Sequence, residues 1–243
     1  MSAGIDARER TGLLRGSGIA LVITLAFAAP ATLKIAQGLL GPNESRLGDA
    51  IANAFGGVTL PLVAAAVVAS VLGAGSPLRA RADRLVAAGA EPRSVIMRPL
   101  AIAMLAATLA SALGSALTVL LLRGSLRLGT PGLLITDLFA TAWGTMLGAA
   151  AWTGCAALLV IRSGRPARAW IVVVFDLVSR LLPGAAAWLA PSAHIENVLG
   201  APPPRGFVHV PVLPQLASVA VLLLMAALFA FAALRRYDGA PAR

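Results

Sequence analysis

The sequence predicts an all-α, polytopic membrane protein with six transmembrane helices, and three observations carry that reading. Six long apolar runs are separated by short polar connections, at Gly18–Leu40, Gly57–Gly73, Val95–Leu122, Leu133–Ile161, Ala169–Leu189 and Val212–Leu234. The chain is 58% hydrophobic and only 12% charged, with a mean hydropathy of +0.86, a balance that leaves no polar surface for a water-soluble globule. The arginines are sorted onto alternate connections. A helix needs roughly 20 apolar residues to cross the hydrocarbon core, so the second run is short and the third and fourth have length to spare for tilt. The spans and their connections use up almost all of the 243 residues, so residues 1–243 read as a single membrane domain.

Charge sets the expected orientation. Arg8, Arg10 and Arg15 precede the first run, and Arg79, Arg81, Arg84, Arg93 and Arg98 lie between the second and third. Arg162, Arg165 and Arg168 lie between the fourth and fifth, and Arg235, Arg236 and Arg243 follow the sixth. With six crossings all four clusters fall on one side, which holds fourteen of the twenty basic residues. Arg46, Arg123, Arg127 and Arg205 fall on the other. Cytoplasmic loops are enriched in Lys and Arg, so both termini are expected in the cytoplasm, in a multi-pass protein of the cell (inner) membrane. The net charge of +10 thus reads as topology, with no nucleic-acid partner. Ala26-Phe27-Ala28 imitates a signal-peptide cleavage site, but apolar character resumes beyond Pro30, which favours an uncleaved first helix.

The connections have their own logic. Gly41-Pro42-Asn43 opens an outward loop. Between runs two and three, Ser76 suits an N-cap, Pro77 a first helical position and Gly89 a C-terminal stop. Leu78, Ala82, Leu85 and Val86 share one face and Arg79, Arg81, Asp83 and Arg84 take the rest, which predicts a cytoplasmic amphipathic helix over 77–89. It suits a lipid surface, a solvated connector or a docking contact with a soluble partner. Pro92 then opens the third helix. Gly144 and Gly148 form a GxxxG in run four, where intramolecular packing is favoured over a dimer seam. Arg162-Ser-Gly-Arg-Pro-Ala-Arg168 is a tight turn, and the proline-rich segment 190–211 reads as an outward loop.

Chemistry is sparse. The lone Lys34 lies in Thr-Leu-Lys-Ile, so there is no phosphate-binding GxxxxGK[ST] loop. The single Cys155 reads as a packing residue. His194 and His209 both fall in 190–211, opposite Ser17, so a serine–histidine hydrolase is not expected. His194, Glu196 and His209 match no metal-binding spacing and read as solvated loop residues, so no metal, cofactor or catalytic residue is assigned. Asp176 and Arg180, four residues apart in run five, share a helix face as an intramembrane charged pair. A structural pair is favoured over a path lining or a proton relay.

These residues together resemble the ABC-2 (type-2 ABC exporter) permease family over essentially the whole chain. Arg81-Ala-Asp-Arg-Leu-Val-Ala-Ala-Gly-Ala-Glu-Pro-Arg93 is similar to the family's stretch before span three, although its usual Glu-x-x-x-Gly-Thr is absent. Trp188-Leu-Ala-Pro-Ser-Ala-His-Ile-Glu-Asn-Val-Leu-Gly200 resembles its Pro-x-x-His segment between spans five and six, a connection that dips into the membrane. Arg235-Arg236-Tyr237-Asp238 resembles its tail. The resemblance implies a non-enzymatic permease subunit that exports a lipid-like or amphipathic substrate. ATP would be hydrolysed in a separate ABC ATPase subunit. Helix 77–89 would be the coupling helix, with Arg79, Arg81, Asp83, Arg84, Leu85 and Glu91 at the contact. A second permease subunit, identical or not, would complete a path lined by helices one, two and five. A haem-exporter-type or lipid-transport permease shares the plan, and a membrane scaffold without transport is the reading from another class.

Overall fold

The computed structural model describes residues 7–36, 51, 54–73, 84–89, 91–126, 131–179, 181, 188–200 and 213–235. All regular structure among them is helical. The helices are α1 (Ala7–Ala36), α2 (Thr59–Leu72), α3 (Pro92–Leu126), α4 (Pro131–Ser163), α5 (Ile171–Ser179), α6 (Pro191–Val198) and α7 (Gln215–Arg235). Three of them, α3, α4 and α7, are long and apolar enough to cross a membrane, and α2 is a shorter apolar helix. The chain is therefore a helical membrane protein.

Alanine, valine and glycine bring the helices together. Lipid tails are as apolar as leucine, so helices associate in a membrane where small side chains let backbones approach. At Gly114 of α3 an added Cβ would stand 2.3 Å from Thr24 Cγ2 of α1. At Gly16 of α1 it would meet Ser70 Cβ at 3.3 Å and Val67 Cα of α2 at 3.4 Å. The short α2 sits in the middle, with Leu60, Val63, Ala64, Val67 and Val68 all at 0% exposure. Its 14 residues give about 21 Å of rise, less than the hydrocarbon thickness. Protein surrounds it, so its shortness creates no mismatch with lipid.

Side-chain contacts fix the helix directions. Gly16 near the start of α1 meets Ser70 near the end of α2, so these two run antiparallel. Arg123 near the end of α3 bonds Asp137 near the start of α4, which makes an antiparallel hairpin. Gly73 after α2 meets Pro166 after α4, so α2 and α4 run parallel, and Gly154 of α4 meets Ala226 and Phe229 of α7. One end of the bundle consequently gathers Arg15, Arg98, Arg162, Arg165, Arg168 and Arg235. Arg123, paired with Asp137, marks the opposite end.

Two expectations are corrected. The described part of the fifth run, 169–179, 181 and 188–189, is not one uninterrupted α-helix. A 3₁₀ turn over Pro166–Trp170 leads into α5, which stops at Ser179 after nine residues, and Leu181 closes a turn by donating its N–H to Val178 O. Pro183 gives the reason: in a continued helix its ring would meet the carbonyl four residues back, that of Ser179. Segment 190–211 is not simply a loop, since α6 occupies its first part. Ala190 enters in an extended conformation and Pro191 takes the first helical position. The sequence hides α6 because His194, Glu196 and Asn197 interrupt its apolar pattern. The bounds of α3 and α4 also grow: α3 starts at Pro92, three residues ahead of the third run, and runs past Leu122 to Leu126, and α4 extends the fourth run by two residues at each end.

Candidate functional site

The most elaborate constellation lies where α6 is held between α4 and α7. Ile195, Val198 and Leu199 occupy offsets of three and four, one face of a helix. That face seats on the Gly144/Gly148 notch of α4. A Cβ at Gly148 would stand 2.6 Å from Ile195 Cδ1 and 2.7 Å from Leu60 Cδ1, and one at Gly144 would stand 2.8 Å from Leu199 Cδ2. The GxxxG is thus an intramolecular seat for α6.

The other face of α6 is polar and fully partnered. His194 Nε2 lies 2.8 Å from Trp188 O, and His194 Nδ1 lies 3.1 Å from Ser218 Oγ. A carbonyl only accepts, so Nε2 carries the proton and Nδ1 accepts from the Ser218 hydroxyl. Asn197 Nδ2 donates to the same Ser218 Oγ at 2.8 Å and to Leu213 O at 3.0 Å. Trp188 also packs its ring 5.2 Å from the imidazole. His194 is 2% exposed and Ser218 0%, so the network is dry. Burial pushes the His194 pKa below its ordinary value, and the bond to Trp188 O offsets part of that. The imidazole is neutral at pH 7.

The reading of His194 as a solvated loop residue is therefore corrected: its two nitrogens are both committed inside the protein. Sequence reasoning also missed Ser218, a single small polar residue in an apolar run, 24 positions from its partner. The available signal was the spacing of His194 and Asn197, which puts both on one face of a helix entered by Pro191. His209 lies outside the described residues. Among the described residues no three His, Cys, Asp or Glu side chains converge to hold a metal ion.

Two carboxylates sit elsewhere. Asp137 accepts from Arg123 Nε at 2.8 Å and from Nη2 at 2.5 Å. Arg123 is 5% exposed and its Nη1 is buried with no hydrogen-bond partner, so the pair is the inward part of a mostly desolvated contact. Asp176 is 0% exposed on the face of α5 turned toward the bundle, beside Phe175, whose ring meets Trp152 of α4 edge-on at 6.2 Å. Ser179 Oγ donates to the Asp176 carbonyl at 2.8 Å. Arg180 lies outside the described residues.

The connection between α2 and α3 is described in its final part. Residues 84–87 are helical and Gly89 stops the turn at φ +88°, with Ala88 N–H on Arg84 O and Gly89 N–H on Val86 O. Arg84 and Leu85 are exposed, as is Glu91, whose carbonyl accepts from Ser94 Oγ at 2.7 Å as α3 begins. Arg79, Arg81 and Asp83 lie outside the described residues. The connection's described residues, 84–89 and 91, stand ahead of Pro92 at the arginine-rich end of the bundle.

The fold and these sites define an integral membrane helical bundle with a short polar helix locked into it. No family model, curated protein or solved structure matches the chain.

Proposed function

We propose that the chain is the permease subunit of an ABC exporter. It moves a lipid-like or amphipathic substrate across the cell (inner) membrane, driven by ATP hydrolysed in a separate ATPase subunit. Two copies, or this chain and a related one, make the transport unit, and six crossings keep both termini in the cytoplasm.

The observation that carries this reading is the connection at 84–91. Its described part is an exposed helical turn bearing Arg84 and Leu85, stopped at Gly89, with exposed Glu91 just ahead of α3, at the end of the bundle where the described arginines gather. An exposed leucine flanked by charges at a basic bundle end suits a helix-in-groove contact with a soluble partner. The short α6 before the last long helix supports the same reading, because the resemblance implies an element that dips into the membrane there.

The experiment is a tagged pull-down from mildly solubilised membranes, followed by reconstitution with the ATPase it recovers. Wild-type protein is expected to bring down a Walker-A ATPase and to change its hydrolysis rate. Leu85→Asp and Asp83→Arg are expected to weaken that recovery with the melting temperature unchanged. Recovery of a soluble assembly partner in place of any ATPase would replace this reading with that of a membrane scaffold.

A further inference from the structure

We propose that the turn 164–170 and the outer face of α5 form a binding track for one anionic phospholipid, its phosphate on Arg165 and Arg168 and an acyl chain along α5. The proposal needs only that the bundle lies in a membrane, and is independent of the transporter reading.

The turn is rigid by construction. Gly164 ends α4 at φ +69°, a left-handed conformation that glycine alone adopts without strain, and its N–H bonds Val160 O at 2.7 Å. Ser163 Oγ donates to Leu159 O at 2.7 Å and accepts from Arg165 N–H at 3.2 Å. Arg168 N–H bonds Arg165 O at 3.1 Å. Pro166 packs on Gly73, where a Cβ would stand 3.0 Å from the proline ring, and Ala169 is 0% exposed against the bundle. The backbone is held from two sides while Arg165 and Arg168 point into exposed space. Between Arg165 and Ile171 the chain carries no acidic residue beside Arg165 and Arg168.

The apolar part follows without a break. In a 3₁₀ helix residues three apart eclipse, which sets Arg168 in line with Ile171, while Arg165 precedes the turn as its extended N-cap. From there Ile171, Val174, Phe175 and Val178 continue at offsets of three, four and seven, and they are 46%, 59%, 47% and 55% exposed. Trp170, 44% exposed, sits at the junction, where an indole ring suits the membrane–water boundary. The opposite face of the same stretch, Val172, Asp176 and Ser179, is buried. Nine residues of helix rise about 13 Å, close to half the ~30 Å hydrocarbon core. One end of the track is thus a pair of guanidinium groups that match a phosphodiester, and its length matches one leaflet. A soluble acidic protein would fit the arginines but not the apolar face beyond them.

The test is native mass spectrometry of the full-length protein released from detergent containing equal phosphatidylglycerol and phosphatidylcholine. Wild-type protein is expected to retain one phosphatidylglycerol in preference to phosphatidylcholine. The double variant Arg165→Gln/Arg168→Gln is expected to lose about thirty-fold in that retention, the weight of two arginines at an anionic surface, while Arg10→Gln/Arg15→Gln keeps it. Equal retention of both lipids by wild type, or equal loss in the two double variants, would overturn the proposal. So would a double variant that keeps its lipid but no longer recovers a soluble partner, which would make the turn a protein-docking site. Should the variant not fold, a photoactivatable phosphatidylglycerol settles the matter on wild-type protein: crosslinks within 165–178 support the track, and crosslinks only elsewhere refute it.

Discussion

Helices α4 and α7 look alike as sequence and behave oppositely in the bundle. Both are long and apolar, and α7 is the more apolar of the two. Yet 72% of the spanning stretch of α4 is buried, against 22% of that of α7. The difference lies in side-chain size. Helix α4 carries Gly144, Gly148, Gly154 and a run of alanines, and on these it seats α6, α2 and α7. Helix α7 presents Leu223, Leu224, Leu228 and Phe231 outward, each more than half exposed, where lipid covers them at no cost. In water the most apolar helix goes to the centre; in a bilayer the smallest-sided one does.

The largest effects are expected where that contrast is attacked directly. Gly114→Leu drives a branched side chain into Thr24, whose β-branched group is too short to swing clear, and Gly148→Leu drives one into Ile195 and Leu60. Each is expected to cost about 3 kcal/mol or prevent folding, read as melting temperature and monodisperse yield in detergent. Tolerance of both would show that the helices do not approach as closely as their glycines allow.

Next comes the ion pair at the far end. Asp137→Asn leaves Arg123 buried beside a neutral amide. The expected loss is about 2 kcal/mol, below the ~3–5 kcal/mol of a fully buried pair because Asp137 keeps 31% exposure. The double change Arg123→Met/Asp137→Leu is expected to recover most of it, so a double-mutant melting series checks the pair.

A smaller effect is expected at the attachment of α6. His194→Phe removes two hydrogen bonds from buried partners and is expected to cost about 1–2 kcal/mol, while His194→Gln, able to donate to Trp188 O, costs less. The pH dependence has a definite sign. His194 is held neutral in the fold, with its pKa lowered from 6.5. Above pH 6.5 both folded and unfolded states are neutral there and the stability is level. Below it the unfolded state takes up the proton first, so stability falls with pH until the folded pKa is passed. Melting curves from pH 8 to pH 5 are expected to show that decline in wild type and to show it flattened in His194→Gln.

The smallest effect belongs to α7. Leu223→Ala and Leu224→Ala are expected to change stability in bilayers by less than about 0.5 kcal/mol, as exposed substitutions do. A loss comparable to that of the glycine variants would reveal a protein partner on this face in place of lipid.

The all-helical membrane class was legible because it rests on two additive quantities, apolar length and charge sorting, that need no knowledge of contacts. Pro92, Gly89 and Pro166 were legible for a similar reason: a fixed φ, a tolerated positive φ and a missing donor act locally. The interruption of the fifth run was readable in principle from Pro183, but its alanine-rich surroundings extended the apolar count past the break. The α6 site was not legible. His194, Asn197 and Ser218 are separated by a proline-rich stretch, and hydrogen bonds between them exist only once α6 is seated on Gly144 and Gly148. Arg123 lies at the end of the bundle opposite the described arginine clusters, as the charge sorting has it, and its pairing with Asp137 was missed, because a helix hairpin sets their register. Composition and punctuation along one chain thus determine that the protein enters a membrane and, where a proline or glycine marks them, where helices start or stop. Which polar groups meet, and which apolar faces meet protein rather than lipid, was decided by tertiary packing, since burial and hydrogen-bond satisfaction are properties of pairs of helices.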